Sequence, residues 1–344
     1  MTQYTILEGL NLRSNFAFYF FNSPYEDPFL YVEQLNSKDN LIFDMGDVSK
    51  VPPSLLMRIK WVFISHTHID HFSGFIKFLR TILKIVGKEV HIFGPKGIAE
   101  NVEGALKSFT WNLIDNYDLR FYVSEIDENI KLFSLFSNDK FQKKLISEKA
   151  FSGIILDEEG FTVKADIMDH KIPVLGFRID EKDRYAVNKE KLFSFNLKPG
   201  RWLNEVKKKI AKNEINDYID VGSVRLIIKD LIDNGILFLK KAPSHAYITD
   251  IGFTKDNFIK ACCLAKCVKN LFIEAHFTHN EIEMAKKTYH LTAYQAGIIS
   301  GAARAERVKI FHFSQRYLKS KIEERELYKE LERARSLFIK EEKY

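Results

Sequence analysis

In the stretch Ser65-His66-Thr67-His68-Ile69-Asp70-His71 the chain packs three imidazoles and one carboxylate into six residues, directly after the apolar run Trp61-Val62-Phe63-Ile64. Imidazole nitrogen and carboxylate oxygen are the donors a zinc-like ion takes when no thiolate is offered. A strand feeding such a loop holds His66 and His68 on one side of it and turns Asp70 and His71 toward a second position. The spacing therefore suggests two metals side by side. The competing reading is a polar loop that carries histidines by chance. The chain has 10 histidines in 344 residues, so three in six positions is a strong local excess. The cluster also falls between an apolar strand and the Gly74-led start of an apolar helix pattern, a position that chance does not favour.

Two ions need about four ligands each, and a catalytic ion keeps room for water, so the loop alone is short of donors. The missing ones should stand at strand ends distant in sequence. His170 follows the β-patterned run Phe161–Met168. Asp250 closes Ala246-Tyr247-Ile248-Thr249, and His312 lies near the end of Lys309-Ile310-Phe311-His312-Phe313-Ser314. Leu271–Ala275 is another such strand. Leu41–Phe43 is a buried strand running into Asp44-Met45-Gly46-Asp47, and Phe75–Leu83 has helical periodicity.

Composition bounds the class. Apolar residues make up 46% and charged residues 28%, which reads as a soluble globular protein, and 29 phenylalanines suit a core built from sheets. No apolar run is long enough to cross a bilayer. Met1–Glu8 has no basic segment followed by an apolar one, so a secretory leader is not expected. The three cysteines, Cys262, Cys263 and Cys267, crowd one helical-looking stretch. They are too close for a disulfide framework, read as small apolar residues of a packed helix, and point to a reducing cytoplasm. The net charge of +6 permits a polyanionic partner without establishing one. Residues 181–220 are lysine-dense, clearest at Leu197–Lys209, where a solvated helix face is the default reading. The tail from Lys319 reads as a charged amphipathic helix.

The pattern His-x-His-x-Asp-His resembles the signature of the metallo-β-lactamase superfamily. That resemblance implies an α/β fold, a four-layer αββα sandwich. Three further stretches are similar to ribonuclease Z, the tRNA 3′-processing branch. They are His170-Lys171-Ile172-Pro173-Val174-Leu175-Gly176-Phe177-Arg178, Tyr289-His290-Leu291-Thr292-Ala293 and Phe311-His312-Phe313-Ser314-Gln315-Arg316-Tyr317. The similarity runs from about Leu41 to Tyr317. It implies one zinc on His66, His68 and His170, a second on Asp70, His71 and His312, and Asp250 between them, with manganese or another divalent ion as a substitute. It further implies a water activated between the ions, Asp70 to orient or deprotonate it, His290 at the scissile phosphate and Glu274 to orient His290. Asp44 is either an ordinary turn residue or the carboxylate beneath the metal loop that accepts a hydrogen bond from a ligand histidine.

The basic segment resembles the branch's flexible arm. Arg201, Trp202, Lys207, Lys208 and Lys209 would then grip folded RNA, and Ser314 and Arg316 would meet substrate nearer the metals. The organisation implied is a hydrolase domain over 1–318 with an inserted arm at 181–215 and a charged helix at 319–344. Its partners would be precursor tRNA or other structured RNA and a second copy of the chain. The sequence departs from the branch at three places. The N-terminus lacks the Gly-Thr-Gly opening, Thr249-Asp250-Ile251-Gly252 stands for Gly-Asp-Thr-Arg, and Ile273-Glu274-Ala275-His276-Phe277 stands for His-Glu-Ala-Thr-Phe. His276 and His279 are extra imidazoles, read as surface residues or as residues behind the ligands. Two other readings stay open. One is a hydrolase of a small diester, lactone or thioester; the other is a non-catalytic RNA-binding protein that kept the fold.

Overall fold

A computed structural model describes residues 5–6, 14–35, 37–114, 116–222, 224–319 and 324–339. Most of Met1–Glu8, where the absence of a leader was read, lies outside the described residues. The chain divides into two compact units, Met1–Glu181 with Pro243–Tyr344, and Lys182–Ala242.

Period-two alternation builds the larger unit. In the strands Asn40–Phe43 and Ile59–Phe63, the side chains Leu41, Phe43, Trp61 and Phe63 point to one face. Ile42 and Val62 point to the other. Both faces are buried, as strands in a covered sheet require. On the second sheet Tyr247, Phe272 and Phe311 face the first sheet, while Ala246, Ile248, Leu271, Ile273 and Ile310 face helices. Aromatic rings thus fill the space between two sheets; Phe43 stacks on Phe63 and on Tyr247 at centroid distances of 5.0 and 5.4 Å. Among the described residues one sheet has nine strands in chain order from Thr5–Ile6 to Lys144–Ala150, and the other has six. The helices Phe75–Ile82 and Ile98–Lys107 cover the first sheet; Lys255–Leu264 and Ala293–Ala302 cover the second. These are the four layers of an αββα sandwich.

Parallel pairing places the site. Asn40–Phe43, Ile59–Phe63 and Lys88–Pro95 run parallel in the first sheet. Ser244–Ile248, Asn270–Glu274 and Arg307–Phe311 run parallel in the second. Their carboxyl ends release Asp44, the loop Ser65–His71, Asp250, Glu274 and His312, the end of an α/β sheet where ligands commonly bind.

Three sequence expectations need correction. The C-terminal helix Glu324–Ile339 is not set apart: Leu327, Leu331 and Ala334 are buried in the same core as Ala293, Ala296 and Ile299. A Cβ at Gly297 would stand 2.4 Å from the Leu331 carbonyl oxygen, so the two helices touch backbone to backbone there. The inserted unit extends past residue 215, because the strand Arg184–Val187 finds its antiparallel partner only at Leu237–Lys240. Finally, Cys263 and Cys267 are exposed rather than packed, since the helix Lys255–Leu264 turns Cys263 outward and ends before Cys267.

The smaller unit has its own core of Leu192, Trp202, Val206, Ile219, Ile228 and Leu231. The helix Trp202–Ala211 buries Trp202 and Val206 and exposes Lys207 and Lys208, so the lysine run is the wet face of an amphipathic helix.

Candidate metal centre and its acid–base pair

The metal loop is held from below. Asp44 is fully buried and its carboxylate receives Ser65 N–H at 2.7 Å, the Tyr247 hydroxyl at 2.7 Å and the Ser65 hydroxyl at 3.0 Å. His71 Nδ1 donates to Asp44 Oδ2 at 2.9 Å, which leaves Nε2 facing the site. Of the two readings of Asp44, the structure selects the carboxylate beneath a ligand histidine. His71 backbone oxygen accepts Met45 N–H at 2.8 Å. The chain can close this tightly only because residues 46 and 74 have no side chain: a Cβ at Gly46 would lie 2.3 Å from the Asp70 backbone oxygen, and one at Gly74 2.1 Å from the Gly46 oxygen.

The distant donors arrive on strained backbone. Asp44, Asp250 and His312 have φ of 54°, 48° and 60°. Left-handed backbone costs a non-glycine residue on the order of 1 kcal/mol, and its repetition at three strand ends around one point marks a functional site. Asn257 braces the chain beside Asp250 and beside His170. It donates to the Asp169 and Gly252 carbonyl oxygens, both at 2.8 Å, and accepts Asp169 N–H at 2.9 Å. His170 Nδ1 is set by the Tyr289 carbonyl oxygen at 2.6 Å.

All seven expected ligands come together. Their ligand atoms form two groups, His66, His68, His170 and Asp250, and Asp70, His71 and His312, each with donors within 4.8 Å of one another. Asp250 Oδ2 lies 3.7 Å from His66 Nε2, 3.8 Å from His170 Nε2 and 3.4 Å from His71 Nε2, so one oxygen reaches both groups. Asp70 Oδ2 lies 3.5 Å from His71 Nε2 and 3.2 Å from His312 Nε2. Two donors on one tetrahedral zinc, each about 2.1 Å from it, stand about 3.4 Å apart. The spacings of 3.4–3.8 Å are right for donors sharing an ion and too long for most hydrogen bonds, whereas the 3.2 Å Asp70–His312 contact is within hydrogen-bond reach. His71 Nε2 lies 3.4 Å and His312 Nδ1 3.0 Å from Asp250 oxygens, and among the described residues neither makes a well-directed hydrogen bond. Divalent ions on these donors would fit the spacing around Asp250 and Asp70 and would take up the lone pair of His71 Nε2.

The electrostatics separate ready donors from protonated ones. Burial, reinforced by neighbouring His71, pushes His66 down to about 2, so its lone pair is free at neutral pH. Burial also works against a charged His71, but Asp250 and Asp44 overcome it and hold His71 well above the ordinary histidine value. His312 is raised in the same way by Asp250 and Asp70. Burial opposes ionisation of Asp250 and Asp70 too, and the same histidines keep both carboxyls well below the usual range.

Beside the ligands stands a separate pair. Glu274 is fully buried; its Oε1 accepts Ile251 N–H at 2.7 Å and its Oε2 receives His290 Nδ1 at 2.9 Å. Burial disfavours the His290 cation, yet Glu274 raises its pKa. Glu274 is itself held down to about 2 against the push of burial, chiefly by His290. His276 joins this pair, which the sequence did not foresee: its ring is 4.2 Å from that of His290 and 14° from parallel. Glu274, His276, His290 and His312 also bring ligand atoms within 4.8 Å. Near-parallel stacked rings direct their in-plane lone pairs side by side, however, so His276 and His290 do not converge on one ion. His279 stands apart, 3.2 Å from the Thr292 hydroxyl.

A cleft of about 290 Å³ opens onto the centre. Asp70, His276, His312, Ser314 and Arg316 are among its lining residues. Arg316 pairs with Glu281 at 2.9 Å and approaches the Ser314 hydroxyl at 3.3 Å. In the smaller unit Arg201, Lys207 and Lys208 are exposed, and Lys209 is tied to Asp217 at 2.8 Å. Trp202 is not on that surface; it is core, with its indole N–H on the Lys198 carbonyl oxygen at 2.9 Å.

No family model matches the chain. Its curated relatives include a ribonuclease Z from Deinococcus radiodurans, 24% identical over 86% of this chain and 88% of the relative. The human zinc phosphodiesterase ELAC protein 1 is 27% identical over 76% of this chain and 73% of the relative. Among solved structures, human tRNase Z short form (ELAC1) aligns with a TM-score of 0.50 at 18% identity, covering 85% of this chain and 87% of that one. The metallo-beta-lactamase fold protein YhfI from Bacillus subtilis aligns with a TM-score of 0.50 at 13% identity, covering 90% and 86%. The αββα sandwich is therefore the metallo-β-lactamase fold. Among the described residues no helix is long and apolar enough to cross a membrane. A ribonuclease Z from Anoxybacillus flavithermus is 30% identical over 264 residues, 76% of this chain and 70% of the relative, and the chain belongs to the ribonuclease Z family.

Proposed function

We propose that the protein is a metal-dependent phosphodiesterase that cuts precursor tRNA on the 3′ side, using two divalent ions per subunit, zinc foremost. The observation that carries the reading is the joint geometry at Asp250. One carboxylate oxygen lies within 3.8 Å of donors from both ligand groups. A carboxylate-held imidazole that keeps its proton, His290 on Glu274, stands at 4.0 Å from the same oxygen. Bound ions would supply Lewis-acid charge and activate water at this point. Asp70, ionised and only partly exposed, is placed to orient that water or take its proton. His290 is placed to give its proton to the leaving oxygen, and Glu274 restores its charge balance.

The remaining site roles are part of the same proposal. Arg201, Lys207 and Lys208 on the smaller unit would hold RNA phosphates, and Ser314 and Arg316 would meet the strand beside the cleft. The names of the relatives support RNA as substrate over small molecules. A homodimer is the assembly proposed, to be tested by light scattering. The substrate is tested by a panel on one preparation: precursor tRNA, an unstructured RNA and a small chromogenic diester. The proposal predicts a single cut in precursor tRNA and a strong fall in tRNA cleavage on reversing Lys207 and Lys208 to glutamate, with diester hydrolysis unchanged. Diester hydrolysis with no tRNA cleavage would overturn it.

A further inference from the structure

The Glu274–His290 hydrogen bond holds the ring of His290 from its Nδ1 edge. Such a bond tolerates some tilt of the ring, and each tilt shifts Nε2. The rings around it differ in how they meet it. His170 and His312 lie 4.7 and 5.5 Å from the His290 ring, tilted by 57° and 54°. His276 lies 4.2 Å away at 14°, the near-parallel contact of the three. His276 is itself held: its carbonyl oxygen accepts Ser314 N–H at 3.0 Å, and the Phe277 ring stands 4.6 Å from its own at 72°. Among the described residues its buried Nδ1 has no hydrogen-bond partner, and its ring face lies against His290. It also lines the cleft that reaches Asp70 and His312, whereas His290 does not.

We propose that His276 is a positioning residue for the acid, stacking on His290 to fix its ring plane and so the direction of its Nε2 toward the leaving oxygen. The inference rests on the role proposed above for His290. It assigns His276 no proton transfer and no metal. A stacked face is all it needs, so an aromatic ring without nitrogen should serve.

The test compares His276→Ala and His276→Phe in the metal-loaded enzyme, on precursor tRNA and on a chromogenic diester, with metal content and melting temperature measured for each. The expected result is a kcat about tenfold lower for the alanine variant, since misplacing a reacting group costs one to two orders of magnitude. KM and metal content should stay near wild type, and phenylalanine should restore most of kcat. In the His290→Ala background the alanine change should add nothing, because the ring it positions is gone. In 15N-labelled, metal-free protein the His290 Nδ1–H signal should stay sharp in wild type and the phenylalanine variant and broaden in the alanine variant. Wild-type kcat for His276→Ala, or a phenylalanine variant as slow as alanine, would overturn the proposal. A wild-type enzyme that hydrolyses no phosphodiester would instead overturn the functional reading on which it rests.

Discussion

Replacing Asp44 by asparagine should weaken the metal centre without touching a ligand. Its Oδ2 accepts from His71 Nδ1, from the Tyr247 hydroxyl and from the Ser65 hydroxyl, while Oδ1 accepts Ser65 N–H. Asparagine keeps the volume but offers one acceptor and one donor. If the amide nitrogen takes the Oδ2 place, it meets His71 Nδ1 as donor against donor. The imidazole can then relax only by moving its proton to Nε2, the atom that faces the ligand group. If the amide is flipped, the nitrogen meets Ser65 N–H instead. Either orientation loses at least one hydrogen bond to a charged group in a buried place, about 1.5–3 kcal/mol. That converts to a metal affinity about 10- to 100-fold lower, the usual scale for a residue that orients a metal-bound histidine. Competition against a fluorescent chelator measures it, with circular dichroism to show that the fold persists. Wild-type affinity in a folded Asp44→Asn protein would refute the argument.

Metal binding should release protons. In the metal-free protein His71 and His312 are held well above the ordinary histidine value, so loading should release protons, measurable by calorimetry in buffers of different ionisation enthalpy. The same shifts make the chelated protein pH-sensitive. Both folded values lie above the ordinary 6.5, so their stabilising contribution is complete below that value and is lost as pH rises through the folded values. The melting temperature of the chelated protein should therefore fall as pH climbs above about 6.5, and a flat profile would contradict the charge assignment. Gly46→Ala should cost about 1–3 kcal/mol by overpacking, because its Cβ would meet the Asp70 oxygen at 2.3 Å; urea unfolding reads this directly.

The residues proposed as metal donors could be picked out because each is a chemically distinctive side chain standing at the end of an apolar run. The opening loop is contiguous, and His170, Asp250 and His312 each follow a strand whose pattern is clear. What supports them was not legible, because their partners are far away in the chain. Tyr247 meets Asp44 across 203 residues and Asn257 meets Asp169 across 88, and neither carries a local signal. His276 was visible as an extra imidazole, but its stacking depends on the separate turn that brings His290 beside it. Trp202 misled for the opposite reason: a tryptophan amid lysines looks like a surface contact. Its burial depends on Ile219, Ile228 and Leu231, which share its core. The C-terminal helix looked separate because its composition is charged, although three small or aliphatic residues, Leu327, Leu331 and Ala334, dock it.

The central claim is that the two ligand groups joined at Asp250 cut precursor tRNA near its mature 3′ end. Chelated enzyme, enzyme reloaded with zinc or manganese, and Asp250→Asn protein should be given the same 3′-extended tRNA, with the product ends mapped by sequencing. The account predicts one endonucleolytic cut that appears only on reloading and is absent from the Asp250→Asn protein. Cleavage that persists in the chelated enzyme or in the Asp250→Asn protein would contradict it, as would a reloaded enzyme that leaves the trailer intact.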